Sequence, residues 1–154
     1  MLIGIVYRLV MLPTPPLPAP GTLNDMPATP GRARIAVDMV GKRPVSEGLP
    51  VVIARKDYPS EAITVEGWSI DQTGQRLARG VLVGVDDDAG SWARYGSTRN
   101  DVARYLGDAT YLRSGYIGVL PLRGLSDGMH TVTIRALVAD TNTYSEAIVS
   151  LLIT

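Results

Sequence analysis

Cysteine is absent from this 154-residue chain. That excludes a thiol nucleophile, a cysteine-ligated zinc site and any disulfide. Phenylalanine is absent too, and the aromatic complement is two Trp and seven Tyr. Core volume must therefore come mainly from Val, Ile, Leu and Ala, which suits a sheet-rich protein. The single histidine, His130, excludes a multi-histidine metal site within one chain. A dominant charge sign is missing as well: 15 basic and 15 acidic residues cancel. With no overall positive field and no extended Arg/Lys run, a nucleic-acid backbone is not an expected partner.

Long apolar runs are also missing. Residues 1–12 are mostly apolar with Arg8 as their one charge, but a helix needs about 20 residues to span a bilayer. No integral membrane span is expected. The stretch lacks the early basic region and small-residue cleavage pattern of a signal peptide. Three readings fit it: a strand that pairs with the body or a neighbouring copy, a buried anchor, or the remainder of a longer segment.

What the chain has instead is proline early and strand patterning late. Pro13, Pro15, Pro16, Pro18, Pro20, Pro27 and Pro30 crowd one segment. Proline lacks an N–H and fixes φ near −65°, so this segment is expected to run extended and semi-rigid. Residues 1–32 are thus read as an apolar segment plus a proline-rich arm, and residues 33–154 as the folded domain.

Within that domain the alternation of apolar residues predicts strands over 34–38, 49–54, 62–70, 81–85, 91–95, 114–122, 130–139 and 146–153. Pro50 places the second at an edge or at its own first residue. The central one reads Ile63-Thr-Val-Glu-Gly-Trp-Ser-Ile-Asp71. Its apolar phase changes after Gly67, as one extra residue at a bulge would produce, and Trp68 is expected in the core. Residues 81–85 and 91–95 pair as a hairpin around Asp86-Asp-Asp-Ala-Gly90. Asp101 is placed to cap a short helix over 102–106, ended by Gly107. The last strand is apolar on both phases, which calls for cover on both sides or contact with a neighbour. Short strands with turns every eight to twelve residues and one scrap of helix describe an all-β, two-sheet sandwich.

The order of landmarks sharpens this. Ala36-Val-Asp38, Gly67-Trp-Ser-Ile-Asp71, Val85-Asp86 and Tyr95-Gly-Ser-Thr-Arg-Asn-Asp-Val-Ala103 occur in turn. Gly115-Tyr116 and Gly128-Met-His-Thr-Val-Thr-Ile-Arg-Ala136 follow. The series resembles the Ig-like β-sandwich modules of bacterial surface and carbohydrate-related proteins, over residues 34–154. Asn100 stands where that pattern commonly has proline, and Asp87 where it has a turn glycine. The resemblance implies an Ig-like sandwich and a module rather than an enzyme, since the family carries no general catalytic set.

Several residue groups have both a chemical and a structural reading. Asp86, Asp87 and Asp88 form the densest acidic cluster. They could hold Ca²⁺ with help from Asp71, Asp101 or Asp140, or simply form a solvated hairpin tip. No other cofactor is expected. Arg99, Asn100 and Asp101, with the ring of Tyr95 or Trp92, suit a sugar site; alternatively Asp101 caps the helix and Arg99 pins the loop. His130 starts a strand beside a turn, near Asp127, and is expected to bond to that turn, because no serine stands in a nucleophile-elbow context. Trp92, Tyr105, Tyr111, Tyr116 and Tyr144 imply a binding strip if three share one exposed face, and core filler if scattered inward.

The resulting expectation is a non-catalytic accessory or adhesion module that binds glycan or a neighbouring protein at the cell envelope or outside the cell. One alternative is an assembly subunit, a homo-oligomer in which residues 1–12 add a strand to a neighbour. The other is a hydrolase acting on glycans through paired carboxylates.

Overall fold

The strand pattern is realised as two sheets. The structure, a computed structural model, describes residues 16–138 and 141–154. In chain order the strands are β1 (Ala33–Val40), β2 (Arg43–Pro44), β3 (Val51–Ile53), β4 (Ala62–Asp71), β5 (Arg76–Leu77), β6 (Gly80–Val85), β7 (Ser91–Trp92) and β8 (Arg94–Ser97). The helix α1 (Asn100–Leu106) follows, then β9 (Gly115–Pro121), β10 (Gly128–Leu137) and β11 (Tyr144–Ile153). The first sheet has the order β2-β1-β4-β9-β8, with β5 attached to the end of β4, and the second the order β3-β11-β10-β6-β7. Neighbours are antiparallel except β3, which runs parallel to β11 at the sheet edge. Val51–Ile53 is shorter than the predicted 49–54 because only the residues after Pro50 reach β11. Among the described residues no helix is long and apolar enough to cross a membrane.

Alternate residues of both sheets meet in one core. Val40, Ile63, Val65, Tyr116 and Leu120 from the first sheet pack with Val81, Val83, Val132, Ile134, Val149 and Leu151 from the second. The inward phase of β4 continues through Gly67, Ser69 and Asp71, so Gly67 is not a bulge. It pairs with Val37 on one side and Tyr116 on the other. The extra residue lies on the neighbouring strand, where the register slips between Val37 and Met39 and leaves Asp38 over. Gly67 is small because the Ala36 carbonyl and Tyr116 lie across it: a Cβ there would run into the Ala36 carbonyl oxygen and stand 2.7 Å from the Tyr116 hydroxyl.

The apolar residues after Gly67 have a different explanation. Trp68 and Ile70 point to the outer face of the first sheet, where Val102, Leu106 and Tyr111 bury them, with Ala36 alongside. Trp68 is buried, but in this second, smaller core rather than between the sheets. The helix that makes the cover starts two residues earlier than Asp101 would set it. Arg99 occupies the N-cap position and no side chain caps the helix. Gly107 ends it as expected, in the left-handed conformation with φ 66° that a Cβ disfavours.

The predicted strand over 91–95 is two strands. Ser91–Trp92 pairs with Leu82 and Val83 in the second sheet. After Ala93, whose amide donates to the Val81 carbonyl, Arg94–Ser97 crosses to the first sheet and pairs with β9.

Residues 16–30 do not form a free extended spacer. Pro20–Asp25 turns as a 3-10 helix, and the segment crosses the outer face of the second sheet. Arg79 donates to the Pro16 carbonyl at 2.7 Å and the Trp92 indole to the Pro18 carbonyl at 2.8 Å. Arg135 donates to Asn24 at 2.9 Å, and the Thr29 amide to the Tyr144 carbonyl at 2.7 Å. Leu82 and Leu137 face outward by alternation, yet they are buried, and so is Leu23 of the arm between these anchor points. The readings made for residues 1–12, and for Asp140, lie outside the described residues.

Candidate functional site

The five residues read as a sugar site do not converge. Trp92 is under the arm in the second sheet. Tyr95 sits between the sheets, its hydroxyl donating to the Ser69 carbonyl at 2.6 Å and accepting from the Ala78 amide at 3.1 Å. Burial raises its ionisation well above the ordinary tyrosine range. Both rings are thereby spent on structure. Arg99, Asn100 and Asp101 do stay together, at the start of α1.

Arg99 is the hub there. Its guanidinium donates to Asp101 Oδ1 and Oδ2 at 2.8 and 2.6 Å, and to Asp38 Oδ2 at 2.7 Å. The bulge in β1 is what brings Asp38 within reach. The bonds from Arg99 hold the Asp101 carboxyl down at about 2 and raise the arginine further above neutrality. A glycosidase acid must instead be kept protonated, the opposite of what Arg99 does to Asp101. The one fully buried carboxylate among the described residues, Asp71, accepts from the Gly74 amide at 3.0 Å and from Arg76 at 3.2 Å, with Arg32 at 3.5 Å. It locks the β4–β5 turn and points at no cation site.

Along α1, Val102 and Leu106 turn inward, while Asp101 and Tyr105, four residues apart, share an outward face. Tyr105 is 71% exposed. Its ring is nevertheless not loose: the Arg34 guanidinium carbon lies 5.6 Å from its centroid and 5.3 Å from that of Trp68. A guanidinium held between a buried indole and an exposed phenol gives the phenol a fixed plane. The result is a small surface with a flat ring, the N–H edges of Arg34 and, one turn along the helix, the Asp101 carboxylate and the exposed Asn100 amide. Tyr105 stood among the sequence candidates; Arg34 did not, because an arginine on a strand reads as an ordinary solvated residue. The one signal available was the i, i+4 pairing of Val102 with Leu106, which fixes the outward side of α1.

The other aromatics point elsewhere. Tyr116 is in the main core, Tyr111 under the helix, and Tyr144 against Arg135 at 5.2 Å beside the arm.

The acidic turn is engaged in bonds within the fold. Asp86 Oδ2 meets His130 Nδ1 at 2.7 Å, and Asp86 Oδ1 accepts from the Thr131 amide at 3.0 Å. Asp88 accepts from the Gly90 amide at 2.7 Å, and Asp87 is exposed. No three His, Asp or Glu side chains among the described residues are placed to hold a metal ion. His130 Nε2 faces the Ser126 carbonyl at 2.7 Å. A carbonyl only accepts, so both ring nitrogens donate and the imidazole is favoured in its charged form. The Asp86 bond, then the Ser126 carbonyl, raise its pKa, and the same contact lowers that of Asp86. The turn bond expected of His130 is present, with Asp86 as its acid; Asp127 pairs with Arg55 at 3.2 Å.

No protein-family model matches the chain, and no curated protein sequence matches it.

Proposed function

We propose that this chain is a non-catalytic binding module that works at the cell envelope and contacts glycan through the Tyr105 face of α1. The observation that carries the reading is Tyr105 itself, a ring that is exposed yet stacked on Arg34, which in turn rests on Trp68. Flat aromatic rings bind pyranose faces at low entropic cost, and fixed polar groups at the rim add direction. Asp101 and Asn100 supply such groups. The resemblance of the landmark series to Ig-like modules of bacterial surface proteins supports the same setting.

A glycan array, followed by NMR titration of the best hits against wild type and Tyr105→Ala, tests it. Binding weakened about ten-fold or more by Tyr105→Ala, with an unchanged circular dichroism spectrum, is expected. Equal binding by the two proteins, or no glycan bound at millimolar concentration, sinks the reading.

A second reading, an assembly subunit that adds a second copy at a sheet edge, is favoured by a separate observation. Val52, Leu152 and Met129 stand opposite one another on β3, β11 and β10. Val52 and Met129 are exposed beside the open edge of β3. Light scattering across a concentration range decides it: Val52→Asp should leave only monomer where the wild type is oligomeric. A wild type that is monomeric throughout rejects this reading.

A further inference from the structure

We infer that the glycan taken by this surface is acidic, with a uronate carboxylate bound by Arg34; the inference rests on the glycan reading of the Tyr105 face.

Four other arginines serve as the comparison. Arg99 is saturated by Asp38 and Asp101, and Arg135 by Glu146 and Asn24. Arg55 donates to Asp127 and to the carbonyls of Leu122 and Leu125, and Arg79 to that of Pro16. Arg34 is positioned by two rings instead of by acceptors. Among the described residues its guanidinium meets no carboxylate and no carbonyl. Ring contacts occupy the faces of a guanidinium and leave its N–H edges for a ligand. A planar fork of donors in fixed orientation matches a carboxylate in bidentate fashion, which is the strong form of such a bond.

The neighbours favour an anion at this end and hydroxyls at the other. Around Arg34 the outer face of the first sheet presents Ala36, Trp68 and Ile70, which carry no charge. The nearest acids along α1 are Asp101, already bonded to Arg99, and Asp108, bonded to Thr110. A pyranose on the solvent side of Tyr105 would direct a ring carboxylate to Arg34 and its hydroxyls toward Asp101. The Asp101 carboxylate only accepts, so it takes hydroxyls and offers no donor to a second acid, and the two ends of the surface select opposite groups and orient the chain.

The experiment compares, on the full-length protein, a panel of uronate trisaccharides with their methyl esters and with the matching neutral trisaccharides, by isothermal titration calorimetry at low and high salt. The acids are expected to bind about ten-fold more tightly than their esters. The gap should narrow as salt rises and vanish in Arg34→Gln. Since Arg34→Gln could loosen α1, Arg34→Lys is measured beside it and should keep part of the preference. The ester comparison needs no variant at all. Esters or neutral sugars that bind as tightly as the acids overturn the inference while leaving the glycan reading standing. If no member of the panel binds, the glycan reading falls and this inference with it.

Discussion

The two sheets solve the same problem at their outer faces in different ways. Each carries apolar residues on its outward phase at one end: Trp68 and Ile70 on the first sheet, Leu82 and Leu137 on the second. The first is covered by α1 and the turn after it, about thirty residues downstream of β4 and tied to the sheet by Val102, Leu106, Tyr111 and the Arg34 stack. The second is covered by the arm, which arrives from some fifty residues upstream of β6 and is tied mainly by side chains reaching its carbonyls. A helix satisfies its own backbone and can rest on apolar contacts alone. A proline-rich segment cannot, so its carbonyls need donors, and Arg79, Trp92 and the Ser145 hydroxyl supply them at Pro16, Pro18 and Thr29. The helical cover therefore has an outward face left over for a ligand, while the arm is largely used up in holding on.

The sharpest way to break this contrast is to remove the arm. A chain beginning at Gly31 uncovers Leu82 and Leu137 and loses Leu23. Two leucines re-exposed correspond to about 3–6 kcal/mol, a large share of the stability of such a domain. Urea denaturation should show a transition at much lower concentration, or a protein already unfolded. If the Gly31 chain is as stable as the full one, the arm is only a spacer after all.

Point substitutions put the two covers on one scale. Leu23→Ala leaves the arm's polar ties intact but empties a fully buried site, and should cost about 2–4 kcal/mol. Val102→Ala removes less volume from a seven-residue helix and should cost about 1–2 kcal/mol. Hydrogen exchange adds the spatial test: Leu23→Ala should speed exchange in β6 and β10, and Val102→Ala in α1. The reverse order of costs would mean that the helix, not the arm, is the principal cover.

Much of the main core was legible because its signal is strictly periodic. Val132, Ile134 and Ala136 alternate with Thr131, Thr133 and Arg135, and the structure places the two sets on opposite faces. The outer covers were less legible for a definite reason. A change of apolar phase within a strand has two causes, an inserted residue or a second covered face, and composition does not separate them. At Gly67 the bulge was the wrong choice; the inserted residue is Asp38, whose acidic side chain hides it in an otherwise regular alternation. The ten-residue β11 showed both phases apolar and asked for cover, which the arm supplies only near Tyr144, leaving Ile148 exposed. For the candidate site, Arg99 pinning its loop could be read from neighbouring acids in sequence. Its bond to Asp38, 61 residues away, and the Arg34 stack are tertiary and leave no local trace.

A clasp belonging to neither cover provides the control. His130 and Asp86 join β10 to the β6–β7 turn, so their titration should shift overall stability without moving either lid. His130 has a raised pKa in the folded state, so its contribution is full below the unfolded value of about 6.5 and is lost as pH rises through the folded value. Asp86 has a lowered pKa, so its contribution is present above the unfolded value of about 3.9 and is lost as pH falls through the folded value. The clasp is thus strongest between about pH 4 and pH 6.5. The difference in melting temperature between wild type and His130→Gln should be largest near pH 5 and shrink by pH 9. A difference that does not change with pH would mean that His130 acts by packing alone, as a neutral ring.

The smallest effect is expected where the functional argument is strongest. Tyr105→Ala removes one exposed ring and one cation–π contact, which at such a site is worth about 0.5–1 kcal/mol. Its melting temperature should stay within a few degrees of wild type. Trp68→Ala, at the other end of the same stack, should cost about 3–5 kcal/mol because it empties the second core. The two rings share one arginine, so this asymmetry separates a ring that holds the fold from a ring that the fold holds out to solvent. Equal losses for the two would make Tyr105 part of the cover, and the outward face of α1 would then have no ring to offer a ligand.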